Sequence, residues 1–357
     1  MKSEEGYRMP AEWEPQSCVQ LTWPHEHTDW APMLDDILTT YREMKAAIER
    51  YEPVMVVMPP SDDTWARDHA FITLVPDASN LPPSSGIRRF SDGTVAPIVS
   101  TVKLLDFRFD GWGGKFPAEK DNALNRRIYD EGRVSGEYVD CKDFVLEGGS
   151  IECDGRGTVF TTSHCLLDPN RRMKDGGSSS ERHADGRVSR SEVEELLKRR
   201  LGARRIVWID HGHLAGDDTD GHIDTLVRVA PDDTLLYVGC DDKDDEHYAE
   251  LRLMEQELQA LRTDDGRPYR LLRLRLPRAI CEAGERLPAT YANFLVINGA
   301  VLVPTYAQPD LDAEAMKTVG EAFPGRDIVP VDCRAIIRQH GSLHCCTMQY
   351  PEGVFVK

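Results

Sequence analysis

Two adjacent cysteines near the C-terminus are the first candidates for chemistry in this sequence. Cys345 and Cys346 follow His344 in the stretch GSLHCC. Neighbouring cysteines rarely bond to each other, because the peptide between them holds the two sulfur atoms in strained geometry. A cysteine thiolate attacks electron-poor carbon, and a histidine exchanges protons near neutral pH. One of these cysteines is therefore a candidate nucleophile that needs a base.

Polar residues that could assist such a nucleophile lie in three other loops. They are Asp68, Glu147, Asp218, Asp220, His222 and Asp224. Several carboxylates in one pocket raise the pKa of a neighbouring thiol unless a cation fills the site. A guanidinium suits such a pocket, because its planar donor fork matches a carboxylate. The combination predicts attack on a guanidinium carbon whose charge and geometry the carboxylates hold.

The elements that position these loops recur along the chain. Helical periodicity covers the segments 33–50, 119–131, 190–202, 244–262 and 311–322, and a strand-like run follows each of them. Turn residues separate paired apolar runs at Asp154-Gly155, Pro231-Asp232-Asp233 and Asn298-Gly299, which is typical of hairpins. A helix, a strand and a hairpin thus recur about five times, which predicts units that pack on one another. We expect one α/β domain over residues 1–357, with its loops converging at one end.

The stretch 174–192 interrupts this pattern. It is small, polar and rich in glycine. Such a composition predicts a surface loop, which is either a lid or a plain connection.

Charge and composition restrict the class of protein. The formal net charge of −18 argues against nucleic acid and anionic membrane as partners, because phosphate binding needs clustered cations. The charge either serves solubility alone or steers a cationic ligand into an acidic cleft. The N-terminus lacks the apolar run of a signal peptide, and nine cysteines without a framework spacing fit a reducing compartment. We therefore expect a cytoplasmic protein.

Several stretches in their order resemble the agmatine deiminase family, also called the bacterial-type peptidylarginine deiminase family. They are MPAEWEP, TWPHEHTDW, DDTWARD, GWGGKFPAEKDNALNRRI, FVLEGGSIECDGRGTVFTT, DDTDGHIDTLVR, ANFLVINGAVLVPTY and GSLHCCTMQYP. The resemblance extends over nearly the whole chain. It implies the five-bladed pseudo-symmetric α/β-propeller (pentein fold) of the guanidino-group-modifying superfamily. It also implies hydrolysis of a guanidine to a urea and ammonia, without a metal or organic cofactor.

The resemblance assigns a role to each candidate residue. The histidine-cysteine pair of the family falls on His344 and Cys345, so Cys345 is the implied nucleophile. The glutamate before two glycines is Glu147, which is expected to line the same pocket.

The implied mechanism has two halves. Cys345 attacks the guanidinium carbon while Asp68 and Asp224 hold the nitrogen atoms. His222 protonates the departing ammonia, which leaves a covalent amidino-thioether. The same histidine then activates water, and the attack of water releases the ureido product.

The substrate implied by the resemblance is agmatine, with N-carbamoylputrescine as the product in putrescine biosynthesis. A peptidylarginine deiminase that forms citrulline is the alternative. The free amine of agmatine needs a further carboxylate to bind it, and Asp218 and Asp220 are candidates for this contact. Trp65 and Trp23 are candidates for pocket walls that pack against the aliphatic part of the substrate. The sequence predicts no partner protein other than a second copy of the chain in a homodimer, which stays open.

Other classes of protein would use the same residues differently. A cysteine amidase or peptidase needs Cys345 and His222 but neither Asp68 nor Asp224. A non-catalytic guanidine binder would keep its ligand without turnover. A metal site is not expected: the acidic run GDDTDG lacks the EF-hand spacing, and the His-x-His pairs at 25–27 and 211–213 lack further ligands.

Two departures from the family pattern concern the pocket wall. After the Arg67-Asp68 pair the family often has glycine-proline, whereas this sequence has His69-Ala70-Phe71. Before the cysteine the family has a cluster of glycines, whereas this sequence keeps Gly341 but has His340 and Ser342. Neither change removes a catalytic group. We expect both to affect the choice of substrate more than the reaction.

Overall fold

A sheet pattern that repeats along the chain is the main feature of the fold. The computed structural model describes residues 6–77, 88–89, 95–96, 101–171 and 189–356. Within these ranges, five sheets contain three or four strands and two contain two strands. None of these described sheets closes on itself. Helices connect the strands, so the fold is mixed α/β.

Strands and helices are named in chain order. The strands are β1 (Tyr7–Arg8), β2 (Gln16–Thr22), β3 (Val54–Val57), β4 (Ile72–Pro76), β5 (Arg88–Arg89), β6 (Val95–Ala96), β7 (Lys103–Arg108), β8 (Glu137–Val145), β9 (Ile151–Cys153), β10 (Thr158–Thr162), β11 (Arg205–Ile209), β12 (Val227–Ala230), β13 (Thr234–Gly239), β14 (Arg270–Arg275), β15 (Cys281–Glu282), β16 (Glu285–Arg286), β17 (Leu295–Ile297), β18 (Ala300–Thr305), β19 (Asp327–Asp332) and β20 (Thr347–Pro351). The helices are α1 (Leu34–Ile48), α2 (Ala66–His69), α3 (Gly111–Gly114), α4 (Asp121–Asp130), α5 (Ser163–Leu166), α6 (Arg190–Leu201), α7 (Tyr248–Ala260) and α8 (Pro309–Ala322). Four 3₁₀ turns lie at Ala31–Met33, Gly148–Ser150, Ile223–Thr225 and Ile336–Gln339.

One unit recurs in the five larger sheets. An antiparallel hairpin is followed by a helix and then by a strand parallel to the second strand of the hairpin, as in β9-β10-β11, β12-β13-β14 and β17-β18-β19. The sheet β4-β7-β8 repeats the pattern, with β1 added at its edge. The sheet β20-β2-β3 joins the two ends of the chain, because β20 pairs with β2.

The predicted elements agree with this pattern. The five predicted helices are confirmed as α1, α4, α6, α7 and α8, and the strand-like runs after them are β3, β8, β11, β14 and β19. The three predicted hairpins are confirmed by the antiparallel pairs β9-β10, β12-β13 and β17-β18. Hydrophobic periodicity was sufficient here because each of these elements buries an apolar face.

The predicted loop 174–192 ends earlier than expected. Residues 174–188 lie outside the described residues, and helix α6 begins at Arg190. The Ser189 hydroxyl accepts from the backbone N–H of Glu192, whose carboxylate accepts from the backbone N–H of Ser189 at 2.8 Å. This capping box satisfies two free N–H groups of the first turn, so the helix forms despite the polar sequence before it.

The core lies between the helices and the sheets. Helix α1 is an example, because it carries an apolar residue every three or four positions and buries the resulting face. These residues are Ile37, Tyr41, Met44 and Ile48. Full burial of such a side chain stabilises the fold by roughly 1.5–3 kcal/mol. No helix among the described residues combines the length and the apolar character needed to cross a membrane.

Candidate active site

Connections between the recurring units carry polar residues to one place. Each of the five connections runs from the parallel strand of one unit to the hairpin of the next. They contribute Asp68 after β3, Glu147 after β8, His222 and Asp224 after β11, Asn293 between β14 and β17, and Cys345 after β19. The contact between Cys345 and Asp224 joins residues that are 121 positions apart in the chain. The predicted convergence of the loops is therefore a property of the packed units.

The Cys345 thiol lies at the centre of this cluster. The side chain is buried, and its Sγ lies 3.4 Å from Asn293 Oδ1 and 3.9 Å from Asp224 Oδ2. Burial raises the pKa of the thiol well above its ordinary value, and the charges of Asp224 and Asp68 raise it further. The thiol therefore stays neutral until a positive charge enters the pocket.

Asp68 is held from two sides. Its Oδ1 accepts from the backbone N–H of Gly149 at 3.0 Å, and its Oδ2 accepts from the Trp112 indole N–H at 3.0 Å. Burial raises the pKa of this carboxyl group. The short helix α2 carries Asp68 into the site, and the two donors fix the plane of the carboxylate. A ligand cation thus meets an oriented carboxylate with acceptor capacity left on both oxygens.

The two carboxylate oxygens of Asp224 have different surroundings. Its Oδ2 lies 2.8 Å from His344 Nδ1, whereas its Oδ1 is buried without a hydrogen-bond partner among the described residues. Burial raises the pKa of Asp224, but the hydrogen bond from His344 and the charges of His344, His222 and Arg228 together lower the pKa below its ordinary value. An unpaired oxygen of a buried, ionised carboxylate is costly unless a ligand donates to it.

His222 lies between two carboxylates. Its Nδ1 is 3.6 Å from Asp68 Oδ1 and its Nε2 is 3.8 Å from Glu147 Oε2, both beyond normal hydrogen-bond length. Burial lowers the pKa of His222, but the Asp68 charge and the interactions with Cys165 and Glu147 together raise the pKa well above its ordinary value. The imidazole therefore carries a proton at neutral pH and can give it to a leaving group.

Glu147 lies behind His222 and is paired with an arginine. Arg171 Nε lies 3.0 and 3.2 Å from its two carboxylate oxygens, and both side chains are buried. Burial raises the pKa of Glu147, but the charges and hydrogen bonds of Arg171 and His222 together lower the pKa to about 2. Glu147, like His222 and Asp224, is not among the residues that line the open pocket. Its position beside Nε2 suits orientation of the His222 imidazole.

Aromatic side chains form the walls of the pocket in front of Cys345. Trp65, Trp112 and Phe116 all line it. Trp65 and Trp112 are 4% and 6% exposed, and their rings meet edge to face with centroids 6.4 Å apart. The Trp112 backbone has a φ of +56°, which is costly for a bulky residue. The fold tolerates this conformation where the Trp112 indole also binds Asp68.

Further carboxylates line the same pocket. Asp29, Asp63 and Asp218 belong to it, and the Asp218 side chain is 41% exposed. Burial raises the pKa of Asp218. The pocket is thus acidic both beside the cysteine and at its partly exposed end.

Two predicted substrate contacts lie elsewhere. Trp23 packs against Tyr41 at a centroid distance of 5.8 Å and is not among the pocket residues. Asp220 accepts from Lys115 Nζ at 2.7 Å and from Arg171 Nη1 at 2.8 Å, and it does not line the pocket either. Both oxygens of Asp220 are occupied by protein cations, so the structure assigns it to the support of the loop.

Comparison with known proteins agrees with this geometry. A family model for Porphyromonas-type peptidyl-arginine deiminases matches residues 8–351. The chain belongs to this family. An agmatine deiminase from Stutzerimonas stutzeri is 30% identical to it, over 98% of this chain and 96% of the relative.

Solved structures of the deiminases superpose on nearly the whole chain. A Porphyromonas gingivalis protein, provisionally assigned as an arginine deiminase, is 43% identical over 98% of this chain and 100% of its own, with a TM-score of 0.83. A cysteine-to-serine variant of the agmatine deiminase of C. jejuni, with substrate bound, is 33% identical over 97% of both chains, with a TM-score of 0.82.

Asn293 is the member of this deiminase site that sequence reasoning missed. Its Oδ1 accepts from the backbone N–H of His344 at 2.8 Å and lies close to the Cys345 thiol. The other four connections were singled out by charged or nucleophilic residues, and an asparagine in YANFL offered no such signal. Its position before a predicted hairpin, where the other units place their polar residues, was the available indication.

A buried charge network behind the cysteine was also missed. Arg228 is 1% exposed, and it contacts Glu152 Oε1 at 2.6 Å and Glu12 Oε2 at 2.7 Å. His344 Nε2 lies 2.8 Å from the same oxygen of Glu12. The network therefore holds His344, which in turn binds Asp224.

The departures from the family pattern lie in different surroundings. His69 is buried, lies 3.2 Å from Thr22 Oγ1 through its Nε2, and does not line the pocket. The Ser342 hydroxyl lies 2.9 Å from the Tyr306 hydroxyl and is buried. His340 does line the pocket. Of these three side chains, His340 is the one that can meet a ligand directly.

Within the part of the chain that the structure describes, two groups of side chains are close enough together to hold a metal ion. They are Glu147, Cys165 and His222, and Glu12, Glu152 and His344. An arginine already pairs with the carboxylates of each group, Arg171 in the first and Arg228 in the second. A cation in either group would compete with a buried guanidinium, so these donor sets suit ion pairs better than a metal.

Proposed function

We propose that this chain hydrolyses the guanidinium group of agmatine to N-carbamoylputrescine and ammonia. The observation that carries the proposal is a thiol with a raised pKa between two buried carboxylates, Asp68 and Asp224, one of which has a free oxygen. A planar cation with several hydrogen-bond donors is complementary to this pocket. A guanidinium supplies the charge, the donors and an electron-poor carbon.

The first half of the reaction forms the covalent intermediate. The guanidinium donates to Asp68 and Asp224, and its charge makes ionisation of Cys345 favourable, with the thiol proton passing to solvent. The thiolate forms a bond to the guanidinium carbon. The proton of His222 passes to one nitrogen, the carbon–nitrogen bond breaks, and ammonia leaves. An amidino-thioether on Cys345 remains.

The second half releases the product. His222 has lost its proton and can take one from a water molecule that attacks the same carbon. The tetrahedral adduct collapses, the carbon–sulfur bond breaks, and the thiolate leaves. Glu147 keeps the imidazole oriented through both halves. The products are a substituted urea and ammonia, and no cofactor enters the atom balance.

The shape and charge of the pocket favour a slender amine over a peptide. Its aromatic walls suit a chain of methylene groups, and Asp218 offers a carboxylate to the far amine. Peptidyl arginine needs an open mouth for its backbone. The family model is named for peptidyl-arginine deiminases, so this substrate is the second candidate.

We also propose the finer organisation of the fold. The five recurring units and the pairing of β20 with β2 support a five-bladed pseudo-symmetric α/β-propeller that forms one catalytic domain over residues 1–357. The cytoplasmic location, the homodimer and the place in putrescine biosynthesis stay predictions.

Turnover assays test the proposed function. The purified protein is incubated separately with agmatine, free arginine and an end-capped arginine peptide, while ammonia and the ureido product are followed. We expect turnover of agmatine alone. In Asp68→Asn, loss of a charge that holds the guanidinium lowers kcat/KM by about 10²–10³-fold.

The control for this experiment is Asp36→Asn, which changes an exposed carboxylate 3.4 Å from Arg338. It should leave kcat/KM unchanged. Full activity of Asp68→Asn would favour a cysteine amidase, and turnover of the peptide in place of agmatine would favour the peptidylarginine reaction. Ligand binding without any turnover by the native protein would indicate a guanidine binder.

Replacement of Gly149 tests the space in front of His222. A Cβ atom on Gly149 would lie 2.6 Å from His222 Nδ1 and 2.9 Å from Asp68 Oδ1, so something in the site must shift. Because a misplacement of about 1 Å can cost about 10²-fold in rate, we expect Gly149→Ala to lower kcat/KM for agmatine by at least that factor. Steady-state kinetics measure the effect.

The control is Gly320→Ala in α8, where the nearest atom to an added Cβ is 3.5 Å away. It should leave both kinetics and thermal unfolding nearly unchanged. Normal kcat/KM in Gly149→Ala would mean that substrate does not use the space between His222 and Asp68.

A further inference from the structure

His340 occupies a distinctive place at the partly exposed end of the pocket. It follows the 3₁₀ turn Ile336–Gln339 and has a φ of +66°, in the left-handed region. Its side chain is 31% exposed, lines the pocket and lies near Asp218, with 3.8 Å between Nδ1 and Asp218 Oδ2. The backbone conformation here would suit glycine or asparagine better than histidine. The imidazole therefore occupies a position whose left-handed backbone conformation is unfavourable for a residue other than glycine.

The hydrogen bond of His340 decides which ring nitrogen carries the proton. Nδ1 lies 2.7 Å from the backbone oxygen of Gly216. A carbonyl oxygen only accepts, so Nδ1 must donate, and the proton of the neutral imidazole resides there. Nε2 then carries a lone pair, and none of the described residues donates to it at hydrogen-bond distance. The neutral ring thus offers an acceptor beside the Asp218 carboxylate.

We propose that His340 is a specificity-determining residue that binds the far ammonium group of the substrate together with Asp218. A primary ammonium has three donors, of which Asp218 can accept one or two and His340 Nε2 another. This inference rests on the proposed function, because it identifies the class of guanidine that the site prefers. The preferred substrates carry a primary amine at the end of a short alkyl chain.

The other charged groups of this region are Asp29 and Asp63, which line the pocket, and Lys115, whose Nζ donates to the backbone oxygen of Asp218 at 2.7 Å. A variant at His340 leaves all of them in place.

A comparison of two guanidines isolates this effect. Agmatine and butylguanidine share the reacting group and nearly the same chain, but butylguanidine lacks the amine. KM is measured for both between pH 6 and 8, and the ratio of KM for agmatine to KM for butylguanidine is followed. Effects of pH on Cys345 and His222 act on both substrates and cancel in the ratio.

We expect the ratio to be about fivefold higher in His340→Asn than in the native protein, because one acceptor of the ammonium is lost. Asparagine tolerates positive φ, and its amide can keep the bond to the Gly216 oxygen, but it has no atom in the place of Nε2. The comparison at each pH therefore reports the Nε2 acceptor of His340.

His27→Asn is the matched control, because the His27 side chain is 77% exposed and does not line the pocket. Its ratio should follow the native one. The same ratio in His340→Asn as in the native protein would overturn the role of His340 while the proposed function stands. Absence of turnover of either guanidine would overturn the proposed function and this inference together.

Discussion

Cys345→Ala abolishes turnover of agmatine while the substrate still binds. The thiol is the nucleophile of the proposed mechanism, and loss of a nucleophile lowers kcat by more than about 10⁴-fold in comparable enzymes. Asp68 and Asp224 remain in the variant, so the guanidinium keeps its charge partners. Ammonia release measures the rate, and calorimetry measures the binding of agmatine.

Cys346→Ala is the matched control. Cys346 is buried in the core next to Tyr41, and it is not among the pocket residues. We expect it to keep turnover within a few-fold of the native rate, with a modest loss of stability from the smaller side chain. Activity that survives in Cys345→Ala and is lost in Cys346→Ala would reverse the assignment of the nucleophile.

Arg228→Met has the largest expected effect on stability. The buried guanidinium pairs with Glu12 and Glu152 and also donates to the backbone oxygens of Ala292 and Phe294. Methionine fills part of the volume but leaves two carboxylates without their cation. Because removal of one partner strands a buried charge, we expect the free energy of unfolding to fall by about 3–5 kcal/mol. Urea denaturation followed by tryptophan fluorescence measures the change.

A surface arginine provides the comparison. Arg275 contacts Asp241 and Glu314 at 3.2 Å, with about half of its side chain exposed. Arg275→Met should cost less than about 1 kcal/mol. Adding Glu152→Gln to Arg228→Met should recover part of the lost stability, because one uncompensated charge is removed. Equal effects of the two arginine replacements would show that the buried network contributes no more than a surface pair.

Long elements could be predicted from the sequence, whereas short ones could not. Helices such as α1 and α8 carry an apolar stripe that decides their state locally. Strand β1 has two residues and exists because it pairs with β4 across nearly 70 positions. The end of the predicted loop 174–192 was set too late, because the Ser189 capping box starts a helix within a polar stretch.

The chemical identity of the site was determined by the sequence alone. A cysteine, a histidine and carboxylates in loops before hairpins predicted attack on a guanidinium, and the order of the motifs predicted the family. Residue types limit which reactions are possible, and motif order is preserved along the chain. Both properties can be read without coordinates.

Tertiary structure alone decided which of these residues meet a ligand and which support others. Glu147 and Asp220 have the same chemistry as Asp68, but Arg171 neutralises both of them. Trp112 is the ring that binds Asp68, whereas Trp23 packs in the core. These roles depend on ion pairs and hydrogen bonds between side chains from distant units. Because the interior has a low dielectric constant, the presence or absence of each partner strongly changes what a buried polar group can bind. A linear sequence does not contain those distances.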